Sequence, residues 1–147
     1  MKKQALMISF ALTLFVMLAA SSVNAQSDMH LTVNIPFEFS VRGKTLPPGE
    51  YTVRRVTQGL LLIQSVDRHV SQTFGTVFTK ASKRRDQSSL VFNRYGDQYF
   101  LSTIWRAGDD TGQELKKSYA EEQLIRANRL LAGSASERQT LSIVAHR

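Results

Sequence analysis

From residue 31 to 41 the chain alternates without a break: Leu31, Val33, Ile35, Phe37, Phe39 and Val41 are apolar, and the residues between them are not. A period of two sets one face of a strand in a core and the other toward water. Pro36 lies inside this run and has no N–H to give to a ladder, so the strand is expected at a sheet edge or with a bulge there. After the break at Gly43-Lys44 comes LPPGEY, in which Pro48-Gly49 suits the centre of a type II turn. Alternation resumes over residues 51–57, and TQGL leads into residues 60–66, which are apolar on both faces and read as a central strand. A turn at Asp67-Arg68-His69 precedes residues 70–79, where Val70, Phe74 and Phe78 share a side and Gly75 marks a bulge or a close contact.

Residues 80–89, KASKRRDQSS, carry no periodicity and read as a basic loop. The next segment, LVFNRYGDQYFLSTIW (residues 90–105), folds back on itself. Gly96-Asp97 makes a two-residue turn, of type II′ because glycine holds its first central position, and this pairs Arg94 with Tyr99 and Phe92 with Leu101. A regular hairpin in that register puts Leu90, Phe92, Tyr99, Leu101 and Trp105 on one face and Val91, Tyr95, Phe100 and Ile104 on the other. Thr111-Gly112-Gln113-Glu114 then has the T-x-x-E form of a capping box and predicts the start of a helix. Leu115, Tyr119, Ala120, Leu124, Ala127 and Leu131 would form its apolar stripe, Glu121, Glu122, Arg126 and Arg129 its solvent side, and Gly133 its stop. TLSIVAH, near the end, is short and β-branched enough for a closing strand. The pattern predicts a mainly β (α+β) domain with one C-terminal helix: an antiparallel meander forming a small barrel or sandwich, the helix packed on it, and a short last strand.

The first 25 residues stand apart. Lys2 and Lys3, the apolar run over residues 5–20 and the small-residue ending Val23-Asn24-Ala25 have the layout of a secretory signal peptide, with cleavage expected after Ala25. The run is 16 residues long, short of the ~20 that span a bilayer. The chain is therefore expected to be exported, periplasmic or extracellular, with residues 26–147 as a single β-rich domain and no transmembrane segment in the mature form. Cleavage leaves 122 residues, with 17 basic against 12 acidic side chains and no cysteine. That length suffices for a core, stability comes from packing rather than disulfides, and the moderate positive charge favours loose attraction to polyanions.

Candidate chemistry is sparse. His30, His69 and His146 have no spacing that brings two imidazoles to one metal, so neither a metal nor a cofactor is expected. Asp109-Asp110 lacks the other oxygen ligands of a calcium loop and reads as favourable charge before the predicted helix. There is no G-x-S-x-G or phosphate-binding glycine loop, and Glu38 and Glu50 sit where solvent-facing strand carboxylates normally sit, so a hydrolase is the weakest reading. Two binding readings remain for a non-enzymatic protein. One is a small-ligand-binding or envelope-associated module, with a small apolar ligand between the doubly apolar strands, Tyr99 and Trp105 as contacts and Arg94 as polar anchor. The other is attachment to an anionic envelope polymer through Lys80, Lys83, Arg84 and Arg85; without a recognition helix or stacking platform, nucleic acid is not expected as a partner.

VNIPFEFSVRGKTLPPGEYTV, LLIQS and LVFNRYGDQYFLSTIW together resemble a group of small exported proteins of unknown function from soil bacteria, chiefly acidobacteria. The likeness covers most of the mature chain and lies in the I-P-F-x-F strand, the L-P-x-G-x-Y turn, the F-N-x-Y-G-D hairpin and the late helix. It implies an exported β-rich architecture and no particular activity, ligand or cofactor.

Overall fold

The computed structural model describes residues 29–132 and 139–146, so the segment read as a signal peptide and the helix stop at Gly133 lie outside the described residues. The fold is mainly β with a single helix: β1 (His30–Ile35), β2 (Phe39–Val41), β3 (Lys44–Leu46), β4 (Gly49–Thr57), β5 (Leu60–Ser65), β6 (Ser71–Lys80), β7 (Ser88–Tyr95), β8 (Gln98–Trp105), β9 (Thr111–Leu115), α1 (Tyr119–Ala132) and β10 (Gln139–Ala145).

The alternating run around Pro36 makes two strands rather than one. β1 stops at Ile35, and Pro36-Phe37-Glu38 redirects the chain into β2. β2 and β3 then form a hairpin that the sequence pattern hid, closed by Arg42 at φ 54° and Gly43 at φ 91°. Two consecutive positive φ values are those of a type I′ turn. Gly49 opens β4 at φ 158°, wider than the type II value expected for it.

Neighbouring strands follow the order β1-β4-β5-β6-β9-β8; β8 also pairs with β2, which carries β3, and with β7, which carries β10. All ladders are antiparallel except a single parallel bridge, Ser40 to Phe100, between β2 and β8. The order departs from a plain meander because β9 inserts between β6 and β8. Gly75 marks where this happens: β6 pairs with β5 up to Gly75 and with β9 from Thr76 onward. That change of partner turns the outer side of β6 to water, and Phe78, expected beside Phe74, is 55% exposed while Phe74 is buried.

The sheet does not close. Its outer strands β1 and β10 meet at one bridge, in which Thr32 and His146 exchange both backbone hydrogen bonds at 2.7 and 2.8 Å. Continuing that antiparallel register would place Asn34 opposite Val144 and Pro36 opposite Ser142. Pro36 has no N–H to donate there, so this register could not extend as far as Pro36. The two halves of the sheet face each other across one core of tightly packed side chains, among them Leu31, Val33, Ile35, Phe39, Tyr51, Leu61, Ile63, Leu90, Phe92 and Ile104. β5 is central, as its sequence indicates, lying between β4 and β6 with Leu61 and Ile63 inward and Leu60 and Leu62 half-buried outside.

The β7–β8 hairpin keeps the expected register from Arg94–Tyr99 to Phe92–Leu101, with Gly96 at φ 61°. Beyond it the ladder shifts: Val91 pairs with Thr103, leaving Ser102 as the extra residue of a bulge. The face assignment therefore changes at the far end, where Ile104 joins the core and Trp105 does not.

Thr111 does not start a helix. Residues Thr111–Leu115 form β9, pairing along all five residues with Lys80 to Thr76 of β6 and burying Gly112, Gln113 and Leu115. A capping box is worth about 1 kcal/mol, less than a full ladder with its buried side chains. The helix begins one signature later, at Ser118-Tyr119-Ala120-Glu121, where Ser118 Oγ accepts the Glu121 N–H at 3.3 Å. The predicted stripe also rotates. Glu121 is buried, Leu124, Ile125 and Asn128 are half-buried, and Tyr119, assigned to the stripe, is 77% exposed. α1 thus meets the sheet through a polar first turn, because the strand surface beneath it presents Asn93 and Tyr95.

Candidate functional site

Three places on the surface gather chemistry. The first is the loop between β6 and β7. Lys80, Lys83, Arg84 and Arg85 are all exposed, and the loop backbone is tied to the turn before β9. Ala81 N–H donates to Asp110 O at 2.8 Å, Arg85 N–H to Asp109 O at 3.1 Å, and Gly108 N–H to Arg85 O at 2.8 Å. The acidic pair expected to cap a helix therefore braces this loop: Asp109 also binds Arg106 Nε at 2.8 Å, and Asp110 accepts the Thr111 hydroxyl at 3.2 Å. The segment 81–85 lines a recess of about 330 Å³. Among the described residues its four cations have no carboxylate within ion-pair distance.

Trp105 belongs to this first place. The Arg85 guanidinium lies 4.7 Å from the centre of its ring, and Gly112 packs so close to the ring that a Cβ there would stand 2.7 Å from Cε3. Arg94 and Tyr99 are elsewhere, at the turn end of the β7–β8 hairpin, so the structure brings those two together and leaves Trp105 apart. The Arg94 guanidinium stands 5.5 Å from the Tyr99 ring centre, its Nε donates to Gly96 O at 2.8 Å, and Asp97 lies 3.9 Å away. Tyr99 stacks on Phe37 with ring centroids 3.9 Å apart, and Phe37 meets Phe92 edge-on. These contacts knit the hairpin to the core edge.

The second place is the turn after β5. Ser65 Oγ and the His69 backbone N–H both bind the Asp67 carboxylate, while Val70 N–H donates to Ser65 Oγ at 3.0 Å. Serine, aspartate and histidine occur together here, but the hydroxyl bonds the carboxylate directly and histidine contributes its backbone, so the set holds a turn with Arg68 at φ 62°. Those hydrogen bonds, Ser65's foremost, hold the Asp67 carboxyl below the usual carboxylate range. Nearby, burial and the Asp67 charge push the Tyr51 phenol up, and its hydroxyl donates to Pro47 O at 2.6 Å. Because the folded-state pKa of Asp67 is depressed, its stabilisation is present above the unfolded value and lost as pH falls through the folded one. Asp67→Asn is expected to flatten the acid limb of a urea-midpoint profile measured from about pH 5 to pH 2; an unchanged slope would contradict this assignment.

The third place is a recess of about 420 Å³ at the first turn of α1, where the β2–β3 turn, β7, β8 and the β9–α1 connection converge. Arg42, Asn93, Ser102, Lys116, Lys117 and Glu121 line it. Glu121 is 4% exposed, and its Oε1 accepts Asn93 Nδ2–H at 2.9 Å and the Tyr95 hydroxyl at 3.3 Å. Arg42 Nη1 donates across the recess to Lys116 O at 3.1 Å. Sequence reasoning named none of these residues as a site and placed Glu121 on the solvent side of the helix. The available signals were Ser118-x-x-Glu121 as a second capping signature directly after Lys116-Lys117, and Asn93 between Phe92 and Tyr95 on an otherwise apolar strand.

Among the described residues, no group of three His, Asp or Glu side chains could hold a metal ion, and no helix is long and apolar enough to cross a membrane. No protein-family model, curated protein or solved structure matches this chain.

Proposed function

We propose that this chain is an exported, non-enzymatic β-protein that attaches to anionic polymers of the cell envelope through the loop between β6 and β7. The observation that carries the reading is the loop itself: four cations without carboxylate partners among the described residues, displayed on a backbone fixed by hydrogen bonds to Asp109 and Asp110. Fixing the backbone beforehand lowers the ordering cost of binding. Asp86, Asp109 and Asp110 offset part of the charge, so the attraction is moderate and strongly salt-dependent. The packed core between the two halves of the sheet supports binding on the outside of the molecule rather than within it. The N-terminal signal pattern supports the compartment.

The test uses the mature protein on isolated envelopes and on immobilised dextran sulfate. Lys80→Ser, Lys83→Ser and Arg84→Ser together leave Arg85 on Trp105 and are expected to lower the eluting salt concentration and the envelope-bound fraction by at least about tenfold in affinity. Retention at the parental salt concentration with an unchanged circular dichroism spectrum would overturn the proposal.

A further inference from the structure

Glu121 occupies the position where a capping-box carboxylate reaches back to the N-cap N–H. Ser118 completes its own half of that box, but the Glu121 carboxylate turns instead to Asn93 and Tyr95. Both bonds fall on Oε1. Among the described residues Oε2 accepts none, and no cation lies within ion-pair distance of either oxygen. A carboxylate in a residue 96% withdrawn from water, with no cation paired to it among the described residues, keeps one oxygen open to solvent at the wall of a recess, where a ligand's donor can reach it.

Arg42, on the rim, adds a separate observation. It holds φ 54°, a left-handed conformation that asparagine or glycine adopts with less strain. From there its guanidinium reaches the carbonyl of Lys116, beside the exposed Lys116 and Lys117 ammonium groups. Glu114 and Glu122 also border the recess, so the rim as a whole is close to neutral and does not suit a polyanion. A deep fixed carboxylate with Arg42, Lys116 and Lys117 among the mixed charges around it suits a molecule bearing both signs.

We propose that the recess beneath the first turn of α1 binds a small zwitterion of the amino-acid or short-peptide type, its ammonium on Glu121 Oε2 and its carboxylate against Arg42, Lys116 and Lys117. The volume lies within the ~300–1,000 Å³ of small-molecule sites. This site is distinct from the loop over residues 80–85, and the serine substitutions there leave it intact.

Titration of the isotope-labelled mature protein with glycylglycine, followed by backbone amide NMR, tests it. Chemical shifts are expected to move at residues 118–122 and at Asn93. N-acetyl-glycylglycine, which lacks the ammonium, and glycylglycinamide, which lacks the carboxylate, should each bind about tenfold more weakly. Glu121→Gln, which keeps the shape and the Asn93 bond, should reduce glycylglycine to the level of its acetylated form, and Arg42→Ser should weaken the preference for the free carboxylate. Equal binding of free and acetylated peptide, or no shift in this region at saturating concentration, would overturn the proposal. The blocked-ligand comparison decides the matter on the unmodified protein even if a substitution impairs folding.

Discussion

Phe92→Ala is expected to lower the stability of the domain by about 3–5 kcal/mol, the usual cost of deleting a buried ring. Phe92 is fully buried, meets Phe37 edge-on at 5.4 Å and Phe39 edge-on at 5.6 Å, and lies between Leu101 and Leu141 in the sheet. It joins the first hairpin of the chain to its central one, so the cavity would open where both halves of the core meet. A domain of this size has only about 5–15 kcal/mol in total, and the loss would consume much of it. Urea unfolding followed by circular dichroism should show a much lower midpoint with a similar slope. Phe92→Leu, which retains most of the volume, should cost about 1–2 kcal/mol. A loss below about 1 kcal/mol for the alanine variant would mean the core collapses around the site, against the packing described.

The second large effect is expected at Gly112. A Cβ there would stand 2.7 Å from Trp105 Cε3 and 2.8 Å from Cζ3, closer than real side chains approach. Trp105 is 7% exposed and covered by Arg85, so its ring has little room to retreat. Gly112→Ala should therefore cost about 2–3 kcal/mol, the upper part of the range for overpacking. Trp105 is the single tryptophan, so its emission reports the displacement directly. Trp105→Phe removes the atoms in conflict, and in the double variant Gly112→Ala should cost at least about 1 kcal/mol less than it does alone. Equal costs in the two backgrounds would show that the ring is not what excludes a side chain at this position.

The hairpin at Gly96-Asp97 shows which parts of the fold are readable from local chemistry. A two-residue loop with glycine in its first position sets both turn type and register, and the pairs from Arg94–Tyr99 to Phe92–Leu101 follow from those residues alone. The bulge at Ser102 does not, because β8 is shared: its first half touches β2 at Phe100 and its second half pairs with β9 through Thr103 and Ile104. Those partners come from distant parts of the chain. Trp105 consequently left the face that regular alternation assigned to it and became the platform for Arg85.

The same contrast holds at the sites. The basic residues 80, 83, 84 and 85 are plain in the sequence, but their fixed display depends on carbonyls of Asp109 and Asp110. The recess was not legible, since it gathers the β2–β3 turn, two strands and the connection into α1. Glu121 was assigned to solvent by helical periodicity, a rule that presumes an apolar surface under the helix. Asn93 and Tyr95 make that surface polar, and the carboxylate turns inward to meet them.

Alternation and turn residues, acting over a few positions, were enough to determine a mainly β domain with one late helix, a central β5, a hairpin at Gly96 and an exposed basic loop. Tertiary structure alone decided that residues 111–115 form a strand, that the outer strands meet at one bridge between Thr32 and His146 without closing the sheet, and that Glu121 lies buried in the wall of a recess shared with Arg42 and Lys116. The reason is one of range. Backbone preferences act between neighbours, whereas pairing of unpaired strand edges and burial of polar side chains depend on which distant segments arrive to satisfy them.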